Sequence, residues 1–202
     1  MIDEKQIAQI KREIPQLLSE GIIDKNKEHI KLFVFFAETA EKSLNSARLL
    51  FKVSSDATIM KNTGFPNFDG YLWVINASYY SMFYMANAAL ASQGIKIRSS
   101  IGVHKIVFNT FVHYFYLTNK IAKQIVEEYQ QAQQDSQELL GQEEIQNIAS
   151  KKATELVEQY SSEREKRHRF TYELERTQIA TRAQTSLERA SNFYKEITKI
   201  IK

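Results

Sequence analysis

Apolar residues recur at alternating intervals of three and four along most of this chain. The clearest run lies between Lys27 and Lys52 and consists of Ile30, Phe33, Ala37, Ala40, Leu44, Ala47 and Phe51. This spacing places one apolar face along an α-helix of about seven turns. Only 6 glycines and 2 prolines occur in 202 residues, so the chain has few residues that end helices. The pattern predicts an all-α protein.

Three further runs carry the same repeat. They consist of Leu72, Ile75, Tyr79, Met82, Ala86, Ala89 and Leu90; of Val103, Ile106, Val107, Phe111 and Tyr114; and of Ile179, Ala183, Leu187, Ala190, Tyr194, Ile197 and Ile201. Gly94 is expected to end the second helix, and Thr177 to cap the last helix at its N-terminus. Residues 62–70 form the loop between the first two helices. We therefore predict an antiparallel bundle of four to five helices.

Two segments differ from the bundle pattern. Residues 1–26 are expected to form a short N-terminal helical extension, in which Pro15 kinks or restarts the helix and Gly21 ends it. The segment around residues 124–146 is rich in glutamine and is expected to be solvent-facing or protruding, with Gly141 as a candidate break between two helices. The predicted organisation is thus an extension followed by a bundle over residues 27–202.

Composition excludes several classes of function. The chain has no cysteine, which rules out disulfides, thiolate zinc sites and cysteine nucleophiles. A net charge of +3 is only mildly basic, so nucleic-acid binding has to rest on local clustering of charge. The first residues lack the apolar core of a secretory signal, and the most apolar window, residues 71–90, is interrupted by asparagines and serines. We expect a cytoplasmic protein with no membrane contact.

Familiar catalytic motifs are also missing from the sequence. It contains no glycine-rich phosphate loop, no G-x-S-x-G and no H-E-x-x-H. His104 and His113 are nine residues apart with no carboxylate between them. We interpret them as polar groups at a helix start and on a helix flank, and predict neither a metal site nor a cofactor.

The stretch EREKRHRFTYE, Glu163 to Glu173, concentrates positive charge. Within six positions it contains Arg164, Lys166, Arg167, His168 and Arg169, followed by Phe170 and Tyr172. Basic side chains at this density are typical of a phosphate-binding surface. Interleaved glutamates allow a second interpretation, a solvated helix end whose charges pair at a spacing of four. On the residues alone the solvated helix end is the favoured interpretation.

Three segments together resemble the HEPN (higher eukaryotes and prokaryotes nucleotide-binding) family, most closely its small prokaryotic branch. The segments are Glu38–Ala47; Asn76–Ile95 with the following helix Gly102–Phe111; and REKRHRFTYE continuing into IATRAQTSLERASNFYKEI. Their order and spacing over roughly residues 28–202 carry the resemblance. It does not extend to residues 1–26 or to the glutamine-rich insert.

The resemblance implies a four- to five-helix bundle that pairs as a homodimer. Catalytic members of the family are metal-independent ribonucleases, several of them toxins. Their motif is an arginine followed after four to six positions by a histidine, and two copies meet across the dimer to form one composite site. Members without the histidine bind or scaffold. Because the small prokaryotic members are often encoded beside a minimal nucleotidyltransferase, the resemblance implies such a protein as a partner in a toxin–antitoxin-type system.

This chain departs from the motif at its histidine. Counted from Arg167, Tyr172 stands at the expected histidine position; counted from Arg164, His168 comes after only three intervening residues, one too few. Activation of a ribose hydroxyl near neutral pH suits an imidazole, with an ordinary pKa of about 6.5, and not a phenol near 10. The resemblance therefore implies a non-catalytic module that binds RNA or a nucleotide through its basic cluster, namely Arg164, Lys166, Arg167 and Arg169.

Two alternatives remain open. The first is an active ribonuclease that uses Arg164 or Arg167 with His168 in a composite dimer site, which requires a helix running through position 168. The second is a purely structural helical dimer. In each case, the aromatic helix over residues 71–90 has more rings than one buried face accommodates. We expect Trp73, Tyr80 and Tyr84 to lie at the dimer interface.

Overall fold

The computed structural model describes the backbone of residues 2–99, 101–153 and 164–201, and the side chains of residues 2–99, 101–138 and 177–201. Its helices and strands are α1 (Glu4–Ser19), β1 (Ile23–Lys25), α2 (Leu32–Ser55), α3 (Ala57–Asn62), α4 (Tyr71–Ser92), β2 (Ile95–Ile97), α5 (Val103–Phe111), α6 (Lys123–Ala153) and α7 (Arg164–Ile200). A 3-10 helix, Lys27–Lys31, precedes α2, and a π-helical turn, Val112–Tyr116, follows α5. The all-α prediction is confirmed.

Helix α4 lies at the centre of the bundle. Of its 22 residues, 16 are buried, and α2, α5, α6 and α7 all pack against it. A helix that is apolar nearly all round has to be enclosed by other helices. The helix ends where the sequence predicts, since Gly94 adopts the left-handed conformation and its N–H bonds the Ala91 carbonyl. No helix in the described part of the chain has the length and apolar content needed to cross a membrane.

The outer helices contribute the apolar faces that their spacing predicts. On α2, Ala40, Leu44 and Ala47 are buried, and the Ser81 hydroxyl of α4 donates to the Ala40 carbonyl at 2.9 Å. On α7, Ala183, Ala190, Phe193 and Ile197 are buried. Small residues at the contacts allow the helix backbones to approach closely, which explains why α2 and α4 share so long a contact.

The N-terminal segment is part of the same core. Ile10 and Ile14 of α1 are buried together with α4, and α1 continues through Pro15 up to Ser19. The predicted restart of the helix at Pro15 does not occur, because the burial of Ile14 next to it offsets the lost backbone hydrogen bond. Gly21, in the left-handed conformation, follows the end of the helix as predicted.

Strands β1 and β2 form a two-stranded antiparallel sheet that the sequence does not predict. Asp24 lies opposite Lys96. The Asp24 carboxylate lies 2.7 Å from His29 Nε2 and accepts a hydrogen bond from the Arg98 guanidinium. The hydrogen bond with His29, and then that with Arg98, holds the pKa of Asp24 below its ordinary value. This charged cluster ties the N-terminal segment to the chain leading into α5.

Three boundary predictions are wrong. Helix α2 begins at Leu32 and not at Lys27, and Ile30 is 48% exposed because it lies in the preceding 3-10 helix. Helix α6 continues through Gly141 to Ala153, because one glycine in a helix costs only about 1 kcal/mol. Thr177 is not a cap, since α7 already begins at Arg164.

The first part of the glutamine-rich segment does not protrude. Ile125, Val126, Tyr129 and Ala132 of α6 are buried in the main core, so the glutamines occupy only the outward side of this part of the helix. The side chains beyond Glu138 lie outside those that the structure describes.

Among the described side chains, Tyr129 is the largest that is fully buried. Its ring centroid lies 5.2 Å from that of Phe193 and 6.0 Å from that of Phe111, and its hydroxyl has no hydrogen-bond partner among the described residues. A buried hydroxyl without a partner costs about 1–3 kcal/mol. Burial also raises the pKa of Tyr129 well above its ordinary value.

We expect Tyr129→Phe to leave the free energy of unfolding unchanged or to raise it by about 1 kcal/mol, because the substitution removes an unpaired polar group. The matched control is Tyr79→Phe, which removes a hydroxyl that is hydrogen-bonded to His104 at 2.7 Å and should cost about 1 kcal/mol. Urea denaturation followed by circular dichroism measures both. An equal decrease in the free energy of unfolding of the two variants would contradict the absence of a hydrogen-bond partner for the Tyr129 hydroxyl.

Candidate nucleic-acid interface

All positions of the predicted basic motif lie on one helix. Because α7 begins at Arg164, positions 164, 168 and 172 occupy successive turns of one helical face. The motif residues are Arg164, Lys166, Arg167, His168, Arg169 and Tyr172, and their side chains lie outside those described. Their contacts therefore stay predictions, while the helix that they require is present.

Charged and polar contacts join α7 to α6. The Asp135 carboxylate of α6 is bonded to two arginines of α7, with Arg189 Nη1 at 3.1 Å and Arg182 Nη2 at 3.5 Å. Arg182 also donates to Glu138 at 3.0 Å, and the Asn192 amide donates to Glu128 at 2.9 Å. Only 13% of the Asp135 side chain is exposed, so its two ion pairs are partly shielded from water.

Helix α6 is in turn bound to the central helix. The Ser136 hydroxyl donates to the Asn76 side-chain oxygen of α4 at 2.7 Å, and both residues are buried. Neighbouring positions on α6 thus bond α4 through Ser136 and α7 through Asp135. Two adjacent residues of α6 thus join the three helices α4, α6 and α7.

The predicted interface aromatics share one exposed face of α4. Trp73 is 59% exposed and Tyr80 is 38% exposed, while Tyr84 is partly buried. Together with Ala77 they recur at intervals of four, three and four, as expected for one face of a helix. The rings of Tyr80 and Tyr84 lie 6.1 Å apart. We define these four residues as the aromatic face.

A histidine that the sequence assigns to a helix start borders this face. His104 Nδ1 lies 2.7 Å from the Tyr79 hydroxyl, and its ring lies 4.5 Å from that of Phe83 and 6.0 Å from that of Tyr80. Burial lowers the pKa of His104 and raises the pKa of Tyr79. His104 is the second residue of α5, which agrees with its interpretation as a polar group at a helix start. Its hydrogen bond with Tyr79 joins positions 25 apart in sequence, so no local sequence pattern predicts it.

Among the described residues, no group of three or more histidine and carboxylate side chains is close enough to bind a metal ion. A pocket of about 290 Å³ lies between α1 and α5. The carboxylate of Glu13, which lines the pocket, is already neutralised within it. The Asn109 amide donates to Glu13 at 3.1 Å, and Lys105 Nζ lies 4.0 Å from the same carboxylate. The pocket thus offers no unbalanced charge to a ligand.

Comparison with protein-family models, with curated proteins and with solved structures gives no match. Any function therefore has to be argued from the residues and their geometry.

We expect Asp135→Asn to lower the free energy of unfolding by about 1–2 kcal/mol, because it weakens two partly shielded ion pairs and leaves two arginines facing each other. The matched control is Glu138→Gln, whose side chain is 56% exposed and bonds a single arginine, so it should cost less than about 1 kcal/mol. Thermal denaturation at low and high salt measures both. A control loss as large as that of Asp135→Asn would contradict the role of Asp135 in the α6–α7 contact.

Proposed function

We propose that this chain is a HEPN-like helical module that binds RNA or a nucleotide without cleaving it. It acts as a homodimer in the cytoplasm, together with a partner such as a minimal nucleotidyltransferase in a toxin–antitoxin-type system. The observation that carries the proposal is the continuous helix α7, because it contains the six motif positions and is bonded to α6 further along, where Arg189 donates to Asp135.

The charge of the motif supports phosphate binding. Residues 164–169 contain four permanently basic side chains and one glutamate. Arginine suits phosphate oxygens because its planar guanidinium donates two parallel hydrogen bonds. A homodimer presents two such segments, so a polyanion can contact both at once.

The missing histidine supports binding without catalysis. Tyr172 stands at the position where the resembled motif has its general base. A phenol is protonated near neutral pH and is a poor proton acceptor, whereas an imidazole accepts a proton readily. In this proposal Arg164, Lys166, Arg167 and Arg169 contact phosphates, and Tyr172 takes no proton.

A second candidate is a metal-independent endoribonuclease that uses Arg164 or Arg167 with His168. One observation favours it, since α7 is helical across these positions and a spacing of four brings positions 164 and 168 to adjacent turns. Two such pairs, one from each protomer, then form a composite site. The third candidate is a purely structural dimer, which neither binds nor cleaves RNA.

We expect the wild-type protein to bind a labelled single-stranded RNA in EDTA without cleaving it, and Arg167→Ala to weaken binding about 3- to 10-fold through loss of a phosphate contact. His168→Ala and Tyr172→Phe should leave the RNA intact and change affinity little. The matched control is Arg12→Ala, an exposed arginine on α1 that should have no effect. Fluorescence anisotropy and denaturing gels give affinity and cleavage.

The other outcomes of this experiment separate the candidates. RNA cleavage in EDTA that disappears in His168→Ala supports the ribonuclease and overturns the binding module. Absence of both binding and cleavage in the wild type overturns both and supports the structural dimer.

The aromatic face is the proposed dimer contact. We expect the wild type to sediment at twice the 23.5 kDa of one chain, and Trp73→Glu or Tyr80→Glu to shift it to the monomer, because a buried unpaired carboxylate opposes association. The matched control is Leu49→Glu on α2, where the wild-type residue is 63% exposed and lies outside the aromatic face. Sedimentation velocity measures the state. A monomeric wild type, or equal dissociation by the control, would contradict this interface.

A further inference from the structure

Helix α5 begins at a glycine. Its cap position is Gly102 in the left-handed conformation, and no side chain among the described residues accepts a hydrogen bond from the first backbone N–H groups. The first turn contains no acidic residue, and the residue before the cap, Ile101, is 86% exposed. The position of this turn therefore depends on the contacts that its side chains make with other helices.

A single side-chain hydrogen bond joins the first turn of α5 to the central helix. His104 Nδ1 lies 2.7 Å from the Tyr79 hydroxyl, and no other side-chain hydrogen bond within the described residues links this turn to another helix. The imidazole also packs on Phe83, with the ring centroids 4.5 Å apart. Val103 and Ile106, the apolar residues of the turn, are only partly buried. His104 is thus the main polar attachment of this turn to α4.

The hydrogen bond between Tyr79 and His104 has a defined direction. Burial raises the pKa of Tyr79 above its ordinary value, so its phenol keeps its proton near neutral pH and donates it. His104 Nδ1 is then the acceptor, which requires a neutral imidazole with its proton on Nε2. A proton on Nδ1 removes this acceptor. The Tyr79 hydroxyl then has to accept instead, and its own proton loses the partner that it has in the neutral arrangement.

The surroundings of His104 also oppose a positive charge. It is the second residue of α5, and the N-terminus of a helix carries a partial positive charge that repels a cation in the first turn. Its ring lies against the rings of Tyr79, Tyr80 and Phe83. Burial lowers the pKa of His104 below its ordinary value. The packed arrangement of α5 on α4 therefore favours the neutral imidazole.

Among the described residues, no carboxylate is bonded to His104. Helix α4 contains no charged residue at all, and Tyr129 of α6, whose ring contacts Tyr79, is a buried phenol with a raised pKa. The charged groups of the neighbouring elements have partners of their own, namely Lys105 with Glu13 of α1, Arg98 with Asp24 of β1, Lys123 with Glu127 of α6, and Glu128 of α6 with Asn192. A proton on His104 is therefore not balanced by a neighbouring negative charge.

We propose that His104 is a pH-sensitive switch, which holds the first turn of α5 on α4 when it is neutral and releases this turn when it is protonated. In the packed state Tyr79 and Phe83 are buried beside Tyr80 of the aromatic face. Release of the turn exposes them, so the aromatic surface of α4 becomes wider in acid. The switch is independent of the proposed function, because it requires neither a second copy of the chain nor RNA.

The pH range of the switch follows from its two states. In the released state the imidazole is exposed and has its ordinary pKa of about 6.5, whereas burial lowers the pKa of His104 in the packed state. The packed state therefore has its full stability above about pH 6.5 and loses stability as the pH falls below this value. At pH 5.5 an exposed imidazole is protonated about ten times as often as it is neutral, so the released population rises by up to about 10-fold.

Amide hydrogen exchange followed by NMR tests the switch, with each rate corrected for the intrinsic pH dependence of exchange. We expect the protection factors of Val107 and Phe108, whose N–H groups bond the carbonyls of the first turn, to fall about 5- to 10-fold between pH 7.5 and pH 5.5. The protection factors of Leu44 and Ala47 on α2 should not change, because the release is local.

Three variants separate the titration of His104 from its packing. In His104→Gln the amide oxygen accepts from Tyr79 but does not titrate, so α5 protection should stay within about 3-fold of the wild type and be equal at both pH values. The matched control is His113→Gln, which should keep the wild-type fall. His113 is also partly buried with a lowered pKa, but its Nδ1 has no hydrogen-bond partner among the described residues. Tyr79→Phe removes the donor and should lower α5 protection about 5-fold already at pH 7.5.

Each of the remaining outcomes decides the inference. Equal α5 protection at both pH values in the wild type overturns the switch, and so does a His104→Gln variant that keeps the pH-dependent fall. Equal loss of protection in α2 and α5 indicates global unfolding in acid and also overturns it. If His104→Gln does not fold, Tyr79→Phe decides at pH 7.5: loss of protection in α5 with α2 unchanged supports the switch, and no loss overturns it.

Discussion

The enclosure of α4 is the constraint on which the rest of the structure depends. A helix with apolar and small residues on nearly every side cannot remain in contact with water, so α2, α5, α6 and α7 have to surround it. The arrangement leaves the aromatic face open along one side. Helix α6 is held against α4 by the hydrogen bond between Ser136 and Asn76.

Periodicity predicts most of the fold because it reports burial directly. Ala40, Leu44 and Ala47 are buried as expected, and Gly94 ends α4 because its conformation is left-handed. The errors arise where local signals compete with long-range contacts. A three-residue strand is too short to show a period of two, and its pairing is long-range: Ile23 pairs with Ile97, 74 positions away in sequence.

The candidate site was accessible to sequence reasoning only in part. The basic cluster and its departure from the HEPN motif that it resembles can be identified in the sequence, because charge density and spacing are local properties. The proximity of His104 to Tyr79 and the two-arginine contact of Asp135 are not, since each joins separate helices. The pairing of Glu128 with Asn192 and of Glu138 with Arg182 likewise exists only once α6 and α7 lie side by side.

The pairing of β1 with β2 has a consequence for how this chain tolerates shortening. Removal of the first 26 residues would delete Ile10 and Ile14 from the core and leave β2 without its neighbouring strand. The freed edge would present unpaired amide and carbonyl groups, which is the geometry that recruits strands from other molecules. The N-terminal segment therefore acts as a cover over a sheet edge, and a shortened chain risks aggregation for a reason unrelated to its basic helix.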